Sequence, residues 1–304
     1  MNPRPGLKRF LPPILVETIR GLSKVRASSQ RYIRRGRVPW SPGYLAHRAQ
    51  VIAEALSDGD LLKSFRCGGP LPPGYGLGID ERCIEYPWLL AHLPDGPGNV
   101  LDAGSALNHE FILDRPVLQC KVLHILTLAP EANHFRRKGI TYLFEDLRDI
   151  RIRDAYYDTV ACLSTLEHVG FDNTPYSSDE THREHRPEDF VFAMRELRRV
   201  LKSGGSLLLT VPFGVYRDLG TFQQFDRTLL SHAVEEFGAT REVSETFYRY
   251  TAEGWNVADA DECERCEYVG WITRRPDQWP RPLPVEPDRA AAARAVACVR
   301  LLKA

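Results

Sequence analysis

Between residues 99 and 213 the chain alternates short, near-continuous apolar runs with segments of helical spacing, and few architectures accommodate that texture. The runs are NVLDAG (99–104), KVLHILTL (121–128), ITYLF (140–144), YDTVACLS (157–164) and SLLLTVPF (206–213). Strands apolar on both sides belong in a parallel sheet covered on both faces, so the alternation predicts a doubly wound α/β domain. The best-punctuated helix is PEDFVFAMRELRRVLKSGG. Pro187, Glu188 and Asp189 stand in its first turn, Phe190, Met194, Leu197 and Leu201 recur along one face, and Gly204 and Gly205 lie past its end.

Upstream, SPGYLAHRAQVIAEALSDGDLL reads as one helix with Ser41 as N-cap and Pro42 in the first turn. A breaker cluster follows at 67–78. DERCIEYPWLLAHL then offers a second short helical piece, interrupted at Pro87, before the turn at Asp95, Gly96, Pro97 and Gly98. Downstream, a helix is expected around Arg227 to Phe237. Five prolines between 276 and 287 exclude regular structure there, and RAVACVRLLK is long enough for one more strand. The chain therefore divides into a basic amphipathic arm (1–40), a helical extension or lid (41–98) and the α/β domain (99–304).

The 40 lysines and arginines balance 40 acids, which argues against a wholesale nucleic-acid binder. The balance is uneven along the chain. Residues 1–40 hold ten basic residues and the single acid Glu17, a net charge of +9, and the remainder carries −9. The arm mixes Phe10, Leu11, Ile14, Leu15, Ile19 and Leu22 with cations, a composition suited to peripheral contact with an anionic membrane through residues 1–37; docking on the acidic body is the competing reading. Seven scattered cysteines are no disulfide framework and point to a reducing compartment. Cys263 and Cys266 form a lone CxxC, read as reduced thiols rather than a zinc site. No run reaches the ~18 apolar residues of a membrane span. The expected location is cytoplasmic, free or at a membrane surface.

In open α/β sheets ligands bind beyond the carboxyl ends of the strands. Three strand ends carry chemistry: VLDAGSALNHEF, FEDLRD and YDTVACLSTLEHVGF. The first lacks the second and third glycines of GxGxxG, so a dinucleotide is not expected. In this order and spacing these segments, with ELRRVLKSGGSLLLTVPFG, resemble the successive motifs of class I S-adenosylmethionine-dependent methyltransferases. The resemblance spans roughly residues 99–215. It implies a Rossmann-like, doubly wound seven-stranded sheet with an antiparallel last strand and S-adenosyl-L-methionine as cofactor; a divalent metal assists methylation of vicinal diols in some relatives, but the resemblance assigns no metal ligand in this chain. By position, Asp102, Gly104, Ser105 and Ala106 would form the turn at the methionine end of the cofactor. Thr127 stands where relatives carry the ribose-gripping acid, with Glu131 four residues later as a substitute. Asp146 would meet the adenine amine, Leu147 would pack on its ring and Ser164 would line the sulfonium. Asn108 replaces a glycine at a position where a left-handed backbone is tolerated, and Ala106 needs a modest adjustment.

His168 and its neighbour Glu167 are the catalytic candidates, with His168 as general base; the alternative is that the pair braces the following loop. The 170–190 segment is too long for a minimal connection. It reads as a polar lid, or as a metal site using His168, Asp172, His182, Glu184 and His185. Arg82 and Glu85 lie one helical turn apart, either on a lid bringing Tyr86 and Trp88 to the substrate or as an exposed ion pair on a packing helix. The overall pattern is similar to methyltransferases found with bacterial surface-polysaccharide biosynthesis, which implies a small-molecule or glycan acceptor. A methyltransferase fold that has lost activity and serves as a scaffold is the alternative, motivated by Ala106, Asn108 and Thr127.

Overall fold

The computed structural model describes residues 13–274 and 278–304, with side chains from residue 24 onward. The first twelve residues of the basic arm and Pro276 of the proline-rich segment lie outside the described residues. Five parallel strands form one side of the sheet: β1 (Gly98–Ala103), β2 (Lys121–Thr127), β3 (Thr141–Phe144), β4 (Tyr157–Leu163) and β5 (Leu201–Pro212). Three more follow, β6 (Thr240–Thr251), β7 (Gly254–Ala258) and β8 (Ala295–Lys303), and the order across the sheet is β3-β2-β1-β4-β5-β8-β6-β7. The RAVACVRLLK segment is the antiparallel last strand, inserted between β5 and β6.

The strand count is eight rather than the expected seven. The extra member is β7, a hairpin return from β6. It exists because Trp255, 2% exposed, turns into the core beside the N-terminal helices and donates its indole N–H to the Ile79 carbonyl at 2.9 Å. That burial fixes the breaker cluster against the sheet edge.

Successive residues of the central strands alternate between two apolar layers, as a period of two requires. Val160 and Cys162 face the layer containing α5 (Phe190–Val200) and α6 (Arg227–Phe237). Ala161 and Leu163 face the layer built by α2 (Tyr44–Ala55), α3 (Gly59–Cys67) and α4 (Arg82–His92). The crossovers from β1 to β2 and from β2 to β3 carry only short helical turns. The N-terminal helices thus complete one face of the sheet and share its core. Ahead of them, α1 (Pro13–Arg34) rests Ser29 and Tyr32 on the body and leaves Lys24, Arg26, Arg31, Arg34 and Arg35 exposed.

Several local expectations need correction. The helix expected over 41–62 is two, broken at Ser57 and Asp58, because the Asp58 carboxylate caps the N–H groups of Asp60 and Leu61 and starts α3. Gly43, in a left-handed conformation, precedes α2 in place of Ser41. Pro87 does not interrupt α4. The Cys83 carbonyl, deprived of an amide partner by the proline, accepts the Tyr75 hydroxyl at 2.6 Å instead. β5 begins at Leu201, five residues early: Leu201 pairs with Tyr157 and Ser206 with Thr159, so the intervening glycine-containing residues bulge from the ladder.

Candidate active site

The cleft opens where the resemblance places it, across the carboxyl ends of β1 to β4, with a cavity of about 270 Å³. The turn after β1 is built from beneath and above. Asp102, fully buried, accepts the N–H groups of Ala106 (3.1 Å) and Leu107 (2.8 Å). Burial pushes its carboxyl up to about 7 against the opposing pull of those two N–H groups. From above, the Tyr86 hydroxyl donates to the Ala106 carbonyl at 2.8 Å. Asp102 therefore braces the turn and does not itself line the cleft; Gly104 does. Gly104 has φ +113°, and a Cβ there would overlap the Thr165 side chain. The second left-handed residue is Ser105, φ +62°, with its hydroxyl buried and unpartnered. Neither Ala106 nor Asn108 has the left-handed backbone allowed for them: Ser105 takes the strain one residue earlier.

Asn108 has a different task. Its amide donates to Glu131 Oε2 (2.9 Å) and to the Asn133 carbonyl (3.0 Å), and its carbonyl oxygen accepts the Tyr142 hydroxyl (2.8 Å). It thereby carries Glu131 to the cleft wall beside Thr127. A sequence comparison sees only a missing glycine here, and the tie between Asn108 and Glu131 needs the folded chain.

At the end of β3, Asp146 and Leu147 both line the cleft. Both oxygens of Asp146 are held by Arg148, through its backbone N–H (2.8 Å), Nε (3.0 Å) and Nη2 (2.6 Å). Partial burial works to raise the Asp146 carboxyl, but the Arg148 hydrogen bonds and charge outweigh it and hold the group below the usual carboxylate range.

At the end of β4, Ser164 sits at φ +38°, its N–H donating to the Thr210 carbonyl (3.0 Å) and its hydroxyl bonded to Glu85 Oε1. Thr210 donates to the same Glu85 oxygen at 2.6 Å, and Arg82 Nη1 reaches Glu85 Oε2 at 2.9 Å. Of the two readings for Arg82 and Glu85, the exposed ion pair does not hold: Glu85 has no accessible surface and Arg82 is only partly exposed. Arg82 itself reaches the cleft wall. Trp88 is 1% exposed in the helical core and brings nothing to a substrate.

The turn Leu166–His168 follows. His168 lines the cleft, and its Nδ1 lies 2.8 Å from the Thr221 carbonyl, which places the proton on Nδ1 and leaves Nε2 as the acceptor. Burial, with a smaller contribution from Arg82, lowers its pKa to about 4 despite the Thr221 bond, so the ring is neutral near pH 7. Tyr176 and Phe222 flank it, with ring centroids at 5.4 and 5.1 Å. Glu167 points elsewhere: it is 2% exposed, does not line the cleft, has one oxygen without a partner, and is pushed upward by burial toward the neutral acid.

The 170–190 segment is a folded loop over the cleft. Its histidines do not converge: His185 bonds Asp218 at 2.6 Å, His182 lines the cleft, and no group of metal-holding side chains occurs among the described residues. Cys263 and Cys266 are buried free thiols, both raised by burial, which at Cys266 outweighs the opposing pull of Arg249 and Arg294.

Residues 124–209, from within β2 to within β5, match a family profile described as a methyltransferase domain. No curated protein matches the chain. Solved structures similar to it include a putative methyltransferase from Bacillus halodurans (14% identity, 71% of this chain and 96% of that chain, TM-score 0.41). Another is the Burkholderia thailandensis 1,6-didemethyltoxoflavin-N1-methyltransferase with bound 1,6-didemethyltoxoflavin and S-adenosylhomocysteine (12% identity, 86% and 89% covered, TM-score 0.41). A third is a Thermotoga maritima methyltransferase described as a possible histamine N-methyltransferase (11% identity, 84% and 99% covered, TM-score 0.42).

Proposed function

We propose that the protein is an S-adenosyl-L-methionine-dependent methyltransferase acting on a hydroxyl of a glycan or small molecule. The observation that carries this reading is the convergence on one cleft of the Gly104 turn, Asp146, Ser164 and a neutral His168 with Nε2 free to accept a proton. The residues suit the cofactor. Gly104 lets a ligand lie against backbone, Glu131 supplies the acid absent at Thr127, Asp146 and Leu147 suit the amine and the ring of adenine, and Arg82 offers guanidinium N–H groups to its carboxylate. When bound, the cofactor supplies an electrophilic methyl group on a sulfonium.

The chain's own residues do the rest. Thr221 fixes the His168 tautomer, so at any pH well above 4 Nε2 is unprotonated and available to the acceptor hydroxyl. Tyr176, 64% exposed at the lip, presents a ring face suited to a sugar, and the buried Phe222 packs against the His168 ring. The exposed cations of α1 support a peripheral role at an anionic membrane, where lipid-linked glycan precursors would be met.

The test is transfer of label from methyl-labelled cofactor to bacterial glycan fractions and to a panel of small hydroxyl compounds. Incorporation into a glycan supports the full reading. Incorporation only into small compounds retains the methyltransferase and removes the glycan. None with any acceptor favours the scaffold alternative.

A further inference from the structure

We propose that Arg148 is a positioning residue that couples occupancy of the cofactor cleft to closure of the 170–189 segment over its acceptor end. Beyond Arg148's bonds to Asp146, its guanidinium donates to Glu184 (3.0 Å) and to Asp189 (2.6 Å) through Nη1, and its Nη2 lies 2.6 Å from the other Glu184 oxygen. Glu184 and Asp189 belong to the segment and to its junction with α5, and each keeps only 15% of its side chain exposed. Arg148 keeps 21%. One largely buried cation therefore serves three carboxylates. Arg186 stands 3.9 Å from both segment acids and offsets their charge only in part.

The segment is pinched at its base, and Arg148 ties it on both sides of the pinch, at Glu184 and Asp189. Arg186 N–H donates to the Gly170 carbonyl at 2.6 Å, and Gly170, at φ +84°, leaves no room for a Cβ against the Arg186 carbonyl. Between these points the chain brings Asn173, Tyr176, His182 and Glu184 to the cleft wall. Among the described residues the other ionic ties from the segment to the body, His185 to Asp218 and Glu188 to His232, are exposed or long and contribute little. Arg148 is the buried tie.

Because the guanidinium is shared, what Asp146 does alters what the segment feels. A ligand N–H donated to Asp146 satisfies part of that carboxylate and leaves more of the Arg148 charge for Glu184 and Asp189. Expulsion of water from the cleft strengthens those bonds further. Cofactor binding should then close the segment, and by linkage a closed segment should hold cofactor more tightly by the same factor. The coupling rests on the reading of Asp146 as the adenine-side acid; the tie from Arg148 to the segment does not.

The experiment is amide hydrogen exchange across residues 172–185, with and without S-adenosylhomocysteine, alongside calorimetric affinity, in the full chain and in R148Q, R148K and E184Q. R148Q and E184Q should speed exchange several-fold without cofactor, and R148K should restore part of the protection. In the unmodified chain S-adenosylhomocysteine should slow exchange, by roughly 5-fold or more for an ordinary coupling. E184Q leaves Asp146 intact yet should weaken S-adenosylhomocysteine by the factor that its own exchange predicts. Unchanged exchange in both R148Q and E184Q overturns the tie. Faster exchange in E184Q with unaltered affinity overturns the coupling and leaves the cofactor reading standing. Absence of binding to the unmodified chain overturns the cofactor reading and the coupling together, while exchange in the variants still reads the tie.

Discussion

Glu85 and Ser164, 79 positions apart, are joined by a hydrogen bond from the serine hydroxyl to the buried carboxylate. This bond, with those from Thr210 and Arg82 to the same carboxylate, fastens α4 to the strand ends that form the cleft. Glu85→Ala should leave the Arg82 charge and two hydroxyls uncompensated and destabilise the fold by about 3 to 5 kcal/mol. Glu85→Gln, which keeps the shape and one acceptor, should cost less. Thermal and urea unfolding check both, and an alanine variant within about 0.5 kcal/mol of the parent, the range of inert surface substitutions, would show that the network carries no stability.

His168→Ala should lower turnover by about 100-fold or more while leaving affinity for S-adenosylhomocysteine within a few-fold, because the side chain serves the acceptor and not the cofactor. With its pKa near 4, the acid limb of the rate profile due to His168 should lie below pH 5. A limb at pH 6 to 7 that disappears in the variant would contradict the burial argument.

Stability should respond to pH through two opposed groups. Asp102 is raised to about 7 by burial, so the folded chain binds its proton more tightly than the unfolded one; its contribution is full below about pH 4 and is lost as pH rises through 7. His168 is lowered to about 4, so its contribution is full above about pH 6.5 and is lost as pH falls toward 4. Between about pH 4 and 6.5 the two slopes offset each other, so Asp102→Asn should make the melting temperature rise more steeply with pH over that window, and His168→Asn should make it fall as pH rises from about 4 to 7. The slopes are the readout, whatever each variant does to stability at a fixed pH; slopes equal to the parent's would refute the assignment.

What could be read from the amino acids and what could not divide along physical lines. The strands β1 to β4 came within one residue of their observed ends; for β1, β2 and β4 burial on both faces leaves an apolar run that a central strand explains, and the edge strand β3 was legible from its short apolar run alone. The Asp146–Leu147, Ser164 and His168 positions were legible for the same reason: they follow strand ends, where ligands gather. Glu85, Asn108 and Arg148 were misjudged or passed over. Each acts through a partner supplied by tertiary contact, Ser164 and Thr210 for Glu85, Glu131 for Asn108, Glu184 and Asp189 for Arg148. Pro87 misled similarly, since the hydroxyl that rescues its turn comes from Tyr75 in the preceding loop.

Reversing exposed charges on α1 tests the membrane proposal without disturbing the packed Ser29 and Tyr32. Changing Lys24, Arg31, Arg34 and Arg35 together to glutamate should abolish sedimentation with phosphatidylserine-containing vesicles at low salt and leave the melting temperature nearly unchanged. Equal sedimentation of the variant would end that proposal.

The central claim is that the cleft at the strand ends holds S-adenosyl-L-methionine. Calorimetric titration with S-adenosylhomocysteine tests it most directly, comparing the parent with Gly104→Ala, whose Cβ would overlap Thr165 and distort the turn, and with Asp146→Ala. Saturable binding by the parent, weakened about 10-fold or more in both variants, is the predicted result, each tenfold corresponding to about 1.4 kcal/mol. No binding at millimolar ligand, or binding undiminished in both variants, would contradict it.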